Sequence, residues 1–463
     1  MKLKLTAVLL ISIVVFIVVW QIRSPASTIQ PGGEPRFGMT GPGPSQNGEL
    51  YQLYLDSGAK ITWWGLSWKD VAQNTSLWSK LNSDIDDAVN HGVTVVMQFK
   101  TGANWSKVEN RVLTPGLEEW KANSPPKDLN EYRDFVSQMV EHFKGKVKYW
   151  EVLNEPYGTF LGSNDEYFEL LRATYEAAHA ADPDIKITHG GVASGAYIEA
   201  EVNDLLYSGK IDEAMNLFNW FFENQRSRVE SETELRSVLG QEQDQRVIGY
   251  VNALFSNYSS YIDIYEFHSY NPYDKTIRVL NYIKSKMAQN GFEKPVRAKV
   301  GTLALPGVLV SENTRAKDVV RNFAVTLGNG VGKVLWFTMT DAENRSNGLV
   351  DAKQEGGSFT YAPKPAYYTY KLIVSKLEGF SSAENLNLDE NIFAYKFIVD
   401  GKPIHVLWSS SNANLSLDLS TNRAKITNSV PDSQANFSVQ EIGAVNGKIT
   451  LALTETPLFV EEA

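Results

Sequence analysis

Tyr149-Trp150-Glu151-Val152-Leu153-Asn154-Glu155-Pro156 is the stretch whose reading decides the fold. A buried apolar run ends in a polar Asn-Glu pair, and the proline that follows has no N–H for a ladder, so the strand stops and a loop begins. A carboxylate is thereby presented at the C-terminal end of a strand. In a parallel α/β barrel that end is the rim on which side chains from several strands converge, so position alone makes Glu155 a catalytic candidate.

Outward from this stretch, short apolar runs alternate with helical ones at the spacing of βαβ units. The strand candidates are Phe37 to Met39, Lys60 to Leu66, Val93 to Gln98, Val147 to Leu153, Ile185 to His189, Ile262 to His268, Val296 to Leu303 and Lys333 to Met339. Between them Leu77, Trp78, Leu81, Ile85, Ala88 and Val89 fall on one helical face, as do Tyr132, Phe135, Val136, Met139, Val140 and Phe143. The expected fold class is α/β, a (β/α)8 TIM barrel over residues 37–380. The interval from Ala200 to Ser260 is too long for one helix, and its charge-rich composition predicts a helical insertion near 200–260. From about Ala383 the pattern changes to alternating runs such as Ile392-Phe393-Ala394-Tyr395-Lys396-Phe397, with a turn at Asp400-Gly401. Residues 381–463 are therefore expected to form a C-terminal antiparallel β-sandwich-like domain.

Composition narrows the function classes. A formal charge of -10 over 463 residues argues against nucleic acid or an anionic membrane surface as partner, because both need a basic face. The chain has 0 Cys, so it has no disulfide framework, thiol nucleophile or thiolate metal site. Its 6 His show no ligand spacing, and neither a metal nor another cofactor is expected. The 11 Trp suit stacking on sugar rings, although large cores use them as readily. At the N-terminus Lys2 and Lys4 precede an apolar run from Leu5 to Trp20, and Ser24-Pro25-Ala26 offers a cleavage site. Residues 1–27 read as a signal peptide or N-terminal membrane anchor and 28–36 as a linker, which places the folded body outside the cytoplasm, secreted or anchored. Oligomeric state is not legible.

Several motifs in order carry a resemblance. Trp150 to Pro156, Glu266-Phe267-His268-Ser269-Tyr270, Trp336, Gly348-Leu349-Val350-Asp351 and Lys364-Pro365-Ala366-Tyr367-Tyr368 together resemble clan A glycoside hydrolases, most closely the β-xylosidase and α-L-iduronidase-like family 39. The resemblance covers nearly everything after the linker and implies a carbohydrate partner. It implies that Glu155 is the general acid/base and that Asn154 bonds the sugar 2-hydroxyl. It further implies that His268 and Tyr270 line the cleft and that Trp336 forms an aromatic floor. Glu151 shares the inward face with Glu155 but lies deeper, as a buried hydrogen-bonding group.

Two departures from the family pattern stand out. In Lys294-Pro295-Val296-Arg297-Ala298-Lys299-Val300-Gly301, Val300 falls where the family carries its nucleophilic glutamate, and no acid occurs between Glu293 and Glu312. On strand two, Trp63 falls where the family carries an arginine supporting that nucleophile. The candidate substitute base is Asp341, whose commoner role would be to cap its loop. Strand alternation with Val300 facing inward turns Arg297 and Lys299 toward the helices, a poor place for charge. Three readings follow: a hydrolase with a relocated base, a non-hydrolytic glycan-binding protein, and an extracytoplasmic scaffold. The missing nucleophile favours the second.

Overall fold

Eight short strands account for the central sheet of the computed structural model. They are β1 (Phe37–Met39), β2 (Ile61–Ser67), β3 (Thr94–Lys100), β4 (Tyr149–Val152), β5 (Lys186–His189), β6 (Tyr265–Ser269), β7 (Val296–Val300) and β8 (Lys333–Trp336). The structure describes residues 33–43, 48–68, 71, 75–102, 121–302, 310–341, 347–433 and 435–463. The expected signal or anchor at 1–27 lies outside them, and among the described residues no helix is long and apolar enough to cross a membrane.

All neighbouring strands are parallel, in the order β5-β4-β3-β2-β1-β8-β7-β6. Bridges from Thr188 to Ile264 and from Ala193 to His268 join β5 to β6, so the sheet nearly closes into the expected barrel. Alternation divides its side chains into two sets. Ile61, Trp63, Val96, Tyr149, Ile264 and Leu335 pack in the interior. Phe37, Met39, Val95, Met97, Trp150, Val152, Phe267, Ala298, Val300, Val334 and Trp336 face the surrounding helices. At the end opposite the rim, Glu34 accepts from Lys148 at 2.5 Å, Tyr149 at 2.7 Å and Lys333 at 2.8 Å.

The long β5 to β6 connection holds four α-helices, Ser194–Tyr207, Ile211–Phe221, Glu232–Leu239 and Glu242–Ser256, and a 3-10 turn, Ser259–Tyr261. Each α-helix buries one apolar stripe, such as Leu217, Phe218 and Phe221 on the second. After β8 come a hairpin, β9 (Val350–Glu355) with β10 (Ser358–Pro363), and the helix Pro365–Leu377.

The C-terminal strands are β11 (Ser382–Asn385), β12 (Ile392–Val399), β13 (Lys402–Ser409), β14 (Ala413–Asp418), β15 (Arg423–Asn428), β16 (Val439–Gly443), β17 (Lys448–Leu453) and β18 (Leu458–Glu462). They form a six-stranded sheet, β11-β12-β13-β18-β15-β16, and a β14-β17 ribbon. One face of the larger sheet packs on Leu415, Leu417, Ile449 and Leu451 of the ribbon. The other presents Phe397, Val406, Trp408 and Phe459 to the core shared with the barrel, so Glu34 to Ala463 is one compact unit. Gly328, in the helix Glu312–Gly328, is required there, because a Cβ would lie 2.2 Å from the ring of Tyr395.

Candidate active site at the barrel rim

The chain leaves β4 through a tight, left-handed passage. Leu153 has φ 61° and Glu155 φ 46°, conformations that each cost a non-glycine residue roughly 1 kcal/mol or more. Hydrogen bonds hold the passage in place. Glu155 N donates to Gly190 O at 2.5 Å, Thr159 N donates to Glu155 O at 3.1 Å, and Thr159 Oγ1 donates to Asn154 O at 2.6 Å. Asn154 and Glu155 end half-buried at the rim.

Across from them stands His268, at the end of β6 and only 2% exposed. Its Nδ1 lies 2.7 Å from Glu155 Oε1 and its Nε2 lies 3.6 Å from Glu266 Oε1. With Glu155 ionised, the Nδ1–H of the ring donates to it. Burial and the Lys299 charge oppose protonation of this ring, but the hydrogen bond to Glu155 and the nearby Glu266 carboxylate outweigh them and raise its pKa above the ordinary imidazole value. Gly191, at φ 63°, makes room: a Cβ there would sit 2.3 Å from His268 Nε2. The neighbouring His189 behaves in the opposite way. Burial lowers it to about 3, and its Nε2 accepts from Glu266 N at 3.1 Å.

Beneath the rim lies a buried ion cluster. Arg297 Nη2 donates to Glu151 Oε2 at 2.8 Å and also to Glu266 Oε2. Lys299 Nζ lies 3.1 Å from Glu151 Oε2 and 3.3 Å from Glu266 Oε1. Trp63 Nε1 donates to Glu151 Oε2 at 2.9 Å, and its ring lies 4.3 Å beneath Lys299 Nζ. Two carboxylates and two cations thus neutralise one another where unpaired charge would be prohibitive. Burial and the neighbouring Glu266 push the Glu151 carboxyl up, against the pull of Lys299 and Arg297. Burial would also raise Glu266, but Arg297, Lys299 and His268 hold it well below the usual carboxylate range.

This arrangement corrects the expected phase of β7. Arg297 and Lys299 point into the barrel rather than toward the helices, and Val300, wholly buried, faces the outer core. β8 carries the same offset. Val300 pairs in register with Trp336, which is also fully buried on the outer side and donates from Nε1 to Asn347 O at 3.4 Å. The aromatic beside Tyr270 is instead Phe337, half-buried, with ring centroids 5.2 Å apart. Asp341 is occupied elsewhere: it accepts from Lys364 Nζ and from Gly348 N, both at 2.7 Å, anchoring the loop that leads to β9.

Glu155, Asn154, His268 and Tyr270 are thus gathered at one rim. Trp336 and Val300 lie in the shell, and Asp341 sits in its own ion pair. The sequence reading missed the inward Arg297–Lys299 pair and Phe337. A signal for the pair was present, since Glu151 and Glu266 face inward and require buried cations, while an apolar helix layer offers Arg297 and Lys299 nothing.

No family model matches the sequence. Over 88 residues, 17% of this chain and 18% of the other, it is 33% identical to a beta-xylosidase of Geobacillus stearothermophilus, so the match spans under a fifth of that enzyme. Among solved structures, a family 39 glycoside hydrolase from Bacteroides cellulosilyticus WH2 superimposes with TM-score 0.61 at 16% identity, over 92% of this chain and 80% of that one. A monomeric beta-xylosidase from Caulobacter crescentus CB15 does so with TM-score 0.55 at 16% identity, over 89% and 92%. The chain has the fold of the clan A glycoside hydrolases.

Proposed function

We propose that this protein engages O-glycosidic carbohydrate at the rim around Asn154, Glu155, His268 and Tyr270, and that it does so without the double displacement of a retaining hydrolase. The observation that carries this reading is the inward face of β7, which presents Arg297 and Lys299 rather than a carboxylate. Retaining hydrolysis needs a second carboxyl about 5–5.5 Å from the acid/base, to form a glycosyl ester and to stabilise a cationic, oxocarbenium-like transition state. An ammonium can do neither. Glu266 and Glu151, the carboxylates nearest that wall among the described residues, are fully buried and committed to Arg297 and Lys299.

Glu155 Oε1 is already engaged by His268 Nδ1 at 2.7 Å. What survives is a polar rim with an aromatic wall, Tyr270 and Phe337, suited to sugar hydroxyls and C–H faces. The xylosidase likenesses make β-linked xylo-oligosaccharides the first ligands to try. The apolar run after Lys2 and Lys4 supports a location outside the cytoplasm, where such glycans would be met.

Calorimetric titration with xylo-oligosaccharides should show binding, and aryl β-xylosides should release no aryl group above the uncatalysed rate. Turnover that disappears in Glu155→Gln would establish hydrolysis and defeat the proposal. Absence of both binding and turnover across a broad glycan panel would leave only a scaffold.

A further inference from the structure

Outside the barrel, the inserted helix Ile211–Phe221 and the helix Ser194–Tyr207 form, with the helix Tyr273–Gln289, two adjoining hollows of about 540 and 580 Å³. Both are lined by Arg278 and Asn281, the residues at which the two halves of this groove meet. Its wall runs from Asp274, just after the rim end of β6, to Gln289, a span of about 22 Å at about 1.5 Å per residue.

Two exposed aromatics mark its ends. Trp220, 38% exposed, lies toward the rim, and Tyr207, 81% exposed, lies toward the far end. Lys275 is buried, donates to Phe221 O at 3.0 Å, and holds its ammonium 5.5 Å from the Trp220 ring centre, which fixes that ring from one side.

The charges along the groove are largely spent on one another. Arg278 pairs with Glu201 at 2.7 Å, Lys286 with Asp204 at 3.2 Å and Lys210 with Glu213 at 3.1 Å. Asp274 is in the first turn of its helix, where the dipole favours an anion. A surface of paired charges, amides and two separated aromatic faces is ill suited to a polyanion or a cationic peptide. It fits a neutral polymer with apolar C–H faces and many hydroxyls.

We infer that this groove is a second carbohydrate site, which holds a neutral β-linked polysaccharide chain between Tyr207 and Trp220, away from the rim cleft. The choice of ligand rests on the carbohydrate reading of the rim. The test compares retardation of the protein in native gels containing soluble neutral arabinoxylan with calorimetric binding of xylotriose. Tyr207→Ala with Trp220→Ala should weaken retardation at least five-fold and leave xylotriose binding unchanged, whereas Tyr270→Ala should weaken xylotriose binding and keep most of the retardation. Tyr207→Ala alone, at a position too exposed to disturb folding, should weaken retardation at least two-fold.

Wild-type retardation in these groove variants, or none in the wild type, would overturn the inference. So would a dimer in sedimentation that the groove variants convert to monomer, since the groove would then be a protein contact. Groove-dependent retardation without xylotriose binding would instead sink the rim proposal and leave the groove standing.

Discussion

Val300 is the residue on which the sequence reading turned, and its methyls lie in the outer apolar layer among helix side chains. A carboxylate introduced there would enter that layer, not the cleft. Val300→Glu is therefore expected to lose roughly 2–5 kcal/mol of stability in urea unfolding and to gain no glycosidase activity. Restored hydrolysis would show that the inward phase of β7 is the opposite one. His268 carries a prediction of its own. Its pKa is raised in the fold, so the native state binds this proton more tightly than the unfolded chain does. The stabilisation is complete below the ordinary imidazole value of 6.5 and is lost as pH rises through the higher folded value. The melting temperature of wild type should exceed that of His268→Gln most in acid and converge on it as the medium becomes alkaline, and a gap that widened with pH would contradict the assignment.

At the scale of the element, β7 is a strand whose inward side is cationic and whose outward side is Val296, Ala298 and Val300. It fits because neighbouring β6 contributes Glu266 in register with Arg297 and β4 contributes Glu151, and because Trp63 on β2 serves both as donor to Glu151 and as the face beneath Lys299. The family resemblance implies a carboxylate on β7 and a supporting arginine on β2, where this chain carries Val300 and Trp63. The barrel holds its buried charges on β4, β6 and β7. Arg297→Met leaves two buried carboxylates facing one ammonium and should cost about 3–5 kcal/mol in denaturant unfolding. Adding Glu266→Leu should recover most of that loss, because a paired deletion leaves no orphan charge. Failure of the double variant to recover would mean that Arg297 acts through packing instead of charge.

For the whole molecule, the barrel and the C-terminal sheet share one core. Tyr273, at the start of a barrel helix, lies 4.7 Å from Phe393 and 5.4 Å from Trp408 between ring centres, and Phe380 lies 5.1 Å from Phe397 of β12. Burial of a large aromatic is worth about 1.5–3 kcal/mol, so removal of residues 381–463 strips the barrel of several such contributions at once. The truncated protein should be aggregated or molten. The full chain should unfold in a single calorimetric transition, and two separated transitions would show the units to be independent.

The sequence by itself determined the order of strands and helices, the strand end that presents Glu155, and the inward faces of β4 and β6. Those signals are local: an apolar run, a terminating proline, an alternation anchored by residues whose roles are plain. It did not determine the phase of β7 and β8. A strand has a period of two whichever side faces in, and in Val296 to Val300 and Lys333 to Trp336 both sides carry residues that can be buried. Tertiary structure made that choice by charge balance. Two buried carboxylates from other strands needed two buried cations, and only one phase of β7 supplies them.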